Sequence, residues 1–336
     1  MFTQDLDFKC TDLNTFPFPF RSGNYRYSND LRKLENVNCI EITPEYELQV
    51  KAKRRLLDEQ PDVRFQALEG TDEFQWEILE MLVGMAIDRY PQHFSLEKNG
   101  QVWTFENHIF KEKDTFTFGD SSTLPYAPLD YIGRHFHNDF VLMVHRDNNF
   151  YLEVGQVSYA ALFSANWNAG MSFDEIHAPV PFVSRKGDQL VERIRRFLLS
   201  INPGEPWTRI NWNLMANRWD VNYETMDVWE PQRNLITPEN AGKLVRLRVE
   251  EQKFYRMPRS NAILFVLNTQ FLPLEDLKLR QEWFDLTYNV LQDIPEAMAE
   301  YKGIAPFLPQ SIEYLRREAE KMKKEKTYDT TTPKTL

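Results

Sequence analysis

The run Ile176-His177-Ala178-Pro179-Val180-Pro181 places one imidazole ahead of two prolines. Proline fixes φ, removes a backbone donor and biases the residue before it away from helix. Ala178 and Val180 are therefore expected to be extended, and His177 to project in one direction, as an axial metal ligand must. Two strand-like runs follow. Alternation in residues 208–214 puts Arg209, Asn211 and Asn213 on one face and Ile210, Trp212 and Leu214 on the other. In residues 244–254, Arg246, Arg248, Glu250 and Gln252 share a face. If those faces border one cavity, Arg209 offers fixed N–H donors to an oxygen ligand, and Glu250 offers an acceptor to a cationic substrate. The plainer explanations are a solvated polar row and a hydrogen-bonded loop histidine.

A rival site lies at His135-Phe136-His137. Histidines at i and i+2 of a strand point to the same side, as in cupin-like barrels that hold iron. The nearest following acid is Asp139, and the same residues could end a helix, where i and i+2 diverge. The serine-nucleophile elbow, the Walker loop, the dinucleotide fingerprint and the His-Glu-x-x-His helix are all absent from the sequence. Phosphoryl transfer and hydride transfer by this chain alone are thereby excluded.

Composition narrows the class further. The 336 residues are 42% hydrophobic and 14% aromatic, enough for a large core or an apolar planar ligand. A net charge of −10 argues against nucleic acid or an anionic membrane as the main partner. No apolar run approaches the roughly 18 residues of a membrane helix, and no secretion signal opens the chain, so a cytoplasmic location is expected. Cys10 and Cys39 are the only cysteines. Two thiols cannot hold an iron–sulfur cluster, and without Cys-x-x-Cys-His a haem would not be covalently attached.

The elements that must position these residues follow an α+β order. Residues 1–43 read as an irregular segment whose Phe16-Pro17-Phe18-Pro19-Phe20 drapes aromatics over the core. Thr43-Pro44 reads as the cap and first residue of a helix to about Glu59, and a second helix covers about 72–90. Short strands are expected at 102–105 and 115–118, a helix at 129–135, and a hairpin from 140–145 and 150–154 around Asp147-Asn148-Asn149. Further strand is expected at 157–163, a helix at 188–201, strands at 209–214, 245–257 and 262–271, and helices thereafter. Residues 44–322 form one expected domain, a mostly antiparallel sheet with helices around it. Residues 323–336 read as a disordered polar tail.

Ile176–Pro181, Arg209–Trp212 (RINW), Leu247–Leu267 (LRVEEQKFYRMPRSNAILFVL) and Pro295–Ile304 (PEAMAEYKGI) occur in an order that resembles the haem-binding α subunit of haem-dependent oxidative N-demethylases, the dimethylamine monooxygenase type. The resemblance spans most of residues 16–304. It implies a PAS-like antiparallel sheet with added N- and C-terminal helices, carrying haem b. It implies His177 as the axial iron ligand, Arg209 beside the oxygen site, and Glu250 as the carboxylate that engages the amine. Glu251 stands where that family usually has a basic residue, so either glutamate could face the pocket. The implied reaction converts a small methylated amine and O2 to formaldehyde and the demethylated amine. Electrons would come from NADPH through a reductase partner carrying FMN and a 2Fe–2S cluster. A haem-PAS sensor of gas or redox state, without turnover, is the alternative.

Overall fold

Alternating apolar and polar residues are realised as two sheets in which every ladder is antiparallel. The computed structural model describes residues 9–26, 31–181 and 189–331, apart from the side chains of 189–190 and 325–331. In chain order the strands are β1 (Arg32–Lys33), β2 (Phe65–Ala67), β3 (Phe94–Asn99), β4 (Val102–Asn107), β5 (Glu112–Thr117), β6 (Asp139–Arg146), β7 (Asn149–Gln156), β8 (Trp207–Ala216), β9 (Val245–Arg256) and β10 (Ile263–Pro273). The larger sheet runs β1-β8-β9-β10-β6-β7-β2, and β3-β4-β5 form a separate meander. The protein is thus α+β with antiparallel sheets and helices at both ends.

The first helices are α1 (Tyr46–Glu59), α2 (Pro61–Arg64), α3 (Asp72–Arg89) and α4 (Pro128–Gly133). Between β7 and β8 come α5 (Ala165–Asn168), α6 (Phe173–His177) and α7 (Gln189–Ser200). Next come α8 (Met226–Arg233) and α9 (Ala241–Leu244), and the chain closes with α10 (Gln281–Asp293), α11 (Glu296–Tyr301) and α12 (Leu308–Thr331). No helix among the described residues is long and apolar enough to cross a membrane.

Local chemistry explains most of these boundaries. Asp147 and Asn148 take φ of 50° and 58°, the left-handed pair of a two-residue hairpin turn, and so join β6 to β7. Phe18 stacks on Trp283 with ring centres 4.7 Å apart, and Phe20 meets Trp212 edge-on at 4.9 Å, so the proline-spaced aromatics pack on α10 and β8.

Several expectations are corrected. α1 begins at Tyr46, two residues after the expected Pro44, with no side-chain cap. β7 ends at Gln156, and the expected strand over 157–163 is irregular apart from one bridge, Ala161 to Val221. The cause is a competing acceptor: the N–H groups of Ser158 and Tyr159 donate to the Asp139 carboxylate at 2.9 and 2.8 Å instead of extending a ladder. α12 reaches Thr331, within the segment expected to be a polar tail, and i,i+3 and i,i+4 pairs such as Arg316–Glu313 and Arg317–Glu313 line its described part. Residues 332–336 of that tail, 1–8 and 27–30 of the N-terminal segment, and Asp188 lie outside the described residues.

The C-terminal helix docks through a close contact. A Cβ added at Gly242 in α9 would lie 2.6 Å from the Tyr314 ring of α12. Gly242→Ala is expected to destabilise the protein by about 1–3 kcal/mol, the usual cost of overpacking. Chemical denaturation compared with the surface change Gly100→Ala, made where an added Cβ meets no atom within 4 Å, checks this. The Gly100 site carries its own strain from a φ of 61°, so only a loss clearly larger at Gly242 supports the docking contact.

Candidate functional site

The register between β8 and β9 assembles a polar surface. Arg209 lies opposite Gln252, Asn211 opposite Glu250, and Asn213 opposite Arg248. Residues opposed in this way point to the same side of a sheet. These six side chains line one cavity of about 350 Å3, within the roughly 300–1,000 Å3 range of small-molecule and cofactor pockets. Farther across the sheet the lining becomes apolar, with Val141, Met143, Leu152, Phe265 and Leu267. Phe173, Ile176 and His177 cover the apolar part from α6, and Met298, Tyr301 and Lys302 close the polar end from α11 and the residue after it. His177, Arg209 and Glu250 therefore border the same space.

His177 ends a short helical turn, and Ala178, for which extended backbone is expected, continues it. Ser172 and Glu175 form a reciprocal capping box: Ser172 Oγ accepts from the Glu175 N–H at 3.2 Å, and Glu175 Oε2 accepts from the Ser172 N–H at 2.8 Å. Ser172 also bridges to Tyr151 of β7, which ties this turn to the sheet. The helical geometry carries on through Ala178 (φ −56°, ψ −37°), and the Val180 N–H turns back to the His177 carbonyl at 3.1 Å. The proline bias before Pro179 is thus overridden by a capped turn. The Ser-x-x-Glu spacing was legible in the sequence and identifies it.

The imidazole orientation follows from its bonds. His177 Nδ1 donates to the Phe173 carbonyl at 2.8 Å, and its ring stacks on Phe173 with centres 3.9 Å apart. A carbonyl can only accept, so neutral His177 carries its proton on Nδ1 and its lone pair on Nε2. Burial holds the imidazole pKa below its usual value; the Phe173 carbonyl opposes that shift and the Arg209 charge adds to it. Histidines that ligate metals commonly have their other nitrogen bonded to a carbonyl or carboxylate in this way.

Glu250 is buried and already bonded. Arg248 donates to it at 2.7 Å, Gln252 donates to its second oxygen, and Asn211 reaches that oxygen at 3.5 Å. Burial pushes its carboxyl upward, but the Arg248 charge and these donors outweigh burial and hold it below the ordinary glutamate value. Arg248 also donates to the Tyr159 carbonyl at 2.6 Å. Glu251 lies on the other side of the sheet, 3.2 Å from Lys253, which also meets Glu41 at 3.0 Å. Alternation alone separates the two glutamates, and Glu250 is the one on the cavity.

Two cavity residues had no assigned role. Asp139 accepts from Ser158 and Tyr159 and faces Lys53 at 3.9 Å; burial pushes its carboxyl up to about 6 against the pull of Lys53. Lys302 donates to the Trp212 carbonyl at 2.6 Å and lies 4.7 Å from the Trp212 ring centre. Burial, with Arg209 and Arg248 nearby, pushes its amine down to about 7. Lysine in the Tyr301-Lys302-Gly303 run carries no periodic signal, so only packing shows its surroundings.

The rival histidines take separate partners. They lie in the turns after α4, where their rings diverge. His135 Nδ1 lies 3.3 Å from the Asn107 amide, and His137 Nε2 lies 3.0 Å from Asn268 Oδ1. No group of three metal-binding side chains occurs among the described residues.

A family model described as haem-dependent oxidative N-demethylase, alpha subunit-like, matches residues 30–311. The chain belongs to that family, whose name denotes proteins like the alpha subunit of a haem-dependent oxidoreductase.

Burial pushes the His137 pKa down to about 4 from 6.5. Between those values the unfolded chain binds a proton that the folded chain does not, so stability falls as pH falls through this window. The loss reaches about 1.4 kcal/mol per pH unit for one such group. In urea unfolding at several pH values, His137→Gln should show a slope shallower by about one proton; identical slopes would contradict burial of a neutral imidazole.

Proposed function

We propose that this chain holds haem b through His177 Nε2 and catalyses oxidative N-demethylation of a small methylated amine, with dimethylamine as the reference substrate. The observation that carries this reading is one cavity bordered by an imidazole of fixed tautomer, an apolar sheet face, and a polar row containing Arg209 and Glu250. The donor set suits the group: a neutral nitrogen ligand beside Val141, Leu152, Phe265 and Leu267, whose apolar surfaces match a planar macrocycle. The antiparallel order β7-β6-β10-β9-β8, with α5, α6 and α7 bridging β7 to β8, supports the PAS-like reading of the core.

Haem, when bound, supplies the O2 chemistry. The protein residues govern polarity and protons around it. Arg209 presents N–H donors to negative charge developing on oxygen. Glu250 remains anionic at neutral pH and accepts an N–H from the ammonium, with Arg248 and Gln252 holding its carboxylate in place. The apolar sheet face excludes water from the reacting methyl group. A methyl group hydroxylated beside nitrogen breaks its C–N bond to give formaldehyde and the demethylated amine. The family resemblance implies that electrons come from NADPH through a partner subunit carrying FMN and a 2Fe–2S cluster, and the two cysteines of this chain, Cys10 and Cys39, are free and buried.

Visible spectroscopy of the reconstituted protein tests this assignment. His177→Ala should lose the axial-ligand signature, and Glu250→Gln should weaken the amine-induced spectral change about tenfold or more, as expected for removing a charged hydrogen-bond acceptor. Glu251→Gln, on the opposite sheet face, should leave the amine response unchanged. An unaltered spectrum in His177→Ala would reject the ligand assignment.

A further inference from the structure

Among the described residues of the cavity wall, basic side chains outnumber acidic ones: Arg26, Arg209, Arg248 and Lys302 stand against Asp139 and Glu250. Both acids are already matched. Glu250 pairs with Arg248 at 2.7 Å, while Asp139 faces Lys53 and accepts two backbone N–H groups. Lys302 Nζ spends one donor on the Trp212 carbonyl. An ammonium has three, so the amine retains donors for a ligand. Its charged surroundings are Arg209 from β8 with Arg248 and Glu250 from β9, two like charges and one acid already paired. A half-buried cation in such a place is short of negative charge.

We infer that Lys302 and Arg209 form a carboxylate-binding subsite of this cavity. The carboxylate belongs either to the methylated amine itself, making N-methyl amino acids a substrate class, or to a side arm of the porphyrin. The substrate assignment rests on the N-demethylase reading, but the subsite is testable without turnover. Arrival of an anion would restore the charge on the amine, whose pKa is otherwise pushed down to about 7 by burial and the two guanidinium groups. Binding above that pH therefore takes up a proton.

The test is calorimetry on the full chain, haem-free and haem-loaded, at pH 8 in two buffers of different ionisation enthalpy. The titrants are N,N-dimethylglycine and dimethylamine. Dimethylglycine should bind with proton uptake approaching one per site. Lys302→Gln, which keeps a donor for the Trp212 carbonyl but removes the charge, should weaken that binding at least about tenfold and abolish the uptake. Lys302→Arg should bind without uptake, which separates loss of charge from misfolding. The same pattern in the haem-loaded chain assigns the subsite to the substrate. Binding only in the haem-free chain, with haem affinity about tenfold weaker in Lys302→Gln, assigns it to the porphyrin. Dimethylglycine and haem binding both unchanged by Lys302→Gln would overturn the inference. Failure of the N-demethylase reading would appear separately, in the His177→Ala spectrum.

Discussion

The antiparallel register between β8 and β9 is the constraint on which the cavity depends. It sets Arg209 beside Gln252, Asn211 beside Glu250 and Asn213 beside Arg248. A slip of one residue would turn the row away and bring Glu251 and Lys253 inward, because the side-chain period of a strand is two. The register is held by apolar residues on the opposite face: Leu247, Val249 and Leu214 are fully buried in the core that also contains Trp229, Phe271 and Phe307. Core packing on one side of the sheet thus fixes chemistry on the other.

Burying Glu250 and Arg248 together imposes a second condition. Each charge alone would be costly in the interior, and the pair is tolerated because its remaining donors and acceptors find partners. Arg248 extends to the Tyr159 carbonyl, and the Tyr159 N–H extends to Asp139, which faces Lys53. The irregular segment after β7 is therefore a polar bridge between two buried ion pairs. This explains why residues with good strand propensity there do not form a strand.

Much of the fold was legible in the sequence because its signals are local. The period-two pattern in β8 and β9 and the asparagine turn between β6 and β7 map onto observed elements, and the helix expected over about 72–90 is α3. The sequence reading failed where a local bias met a stronger partner. Ala178 stays helical before Pro179 under the Ser172–Glu175 cap, and Ser158 and Tyr159 turn to Asp139. The separate β3-β4-β5 meander was read only in part, since the charged stretch at β3 has weak alternation.

By itself, the sequence determined that Arg248, Glu250 and Gln252 share a face, that Arg209 and Asn211 share another, and that His177 stands alone before two prolines. Strand alternation and proline sterics need no distant contact. Only the tertiary structure decided that these faces adjoin, that α6 lays His177 across the same space, and that Lys302 enters it from just after α11. Those facts depend on pairing and packing between segments far apart in the chain, where burial and neighbouring charge, not sequence spacing, set the environment of each group.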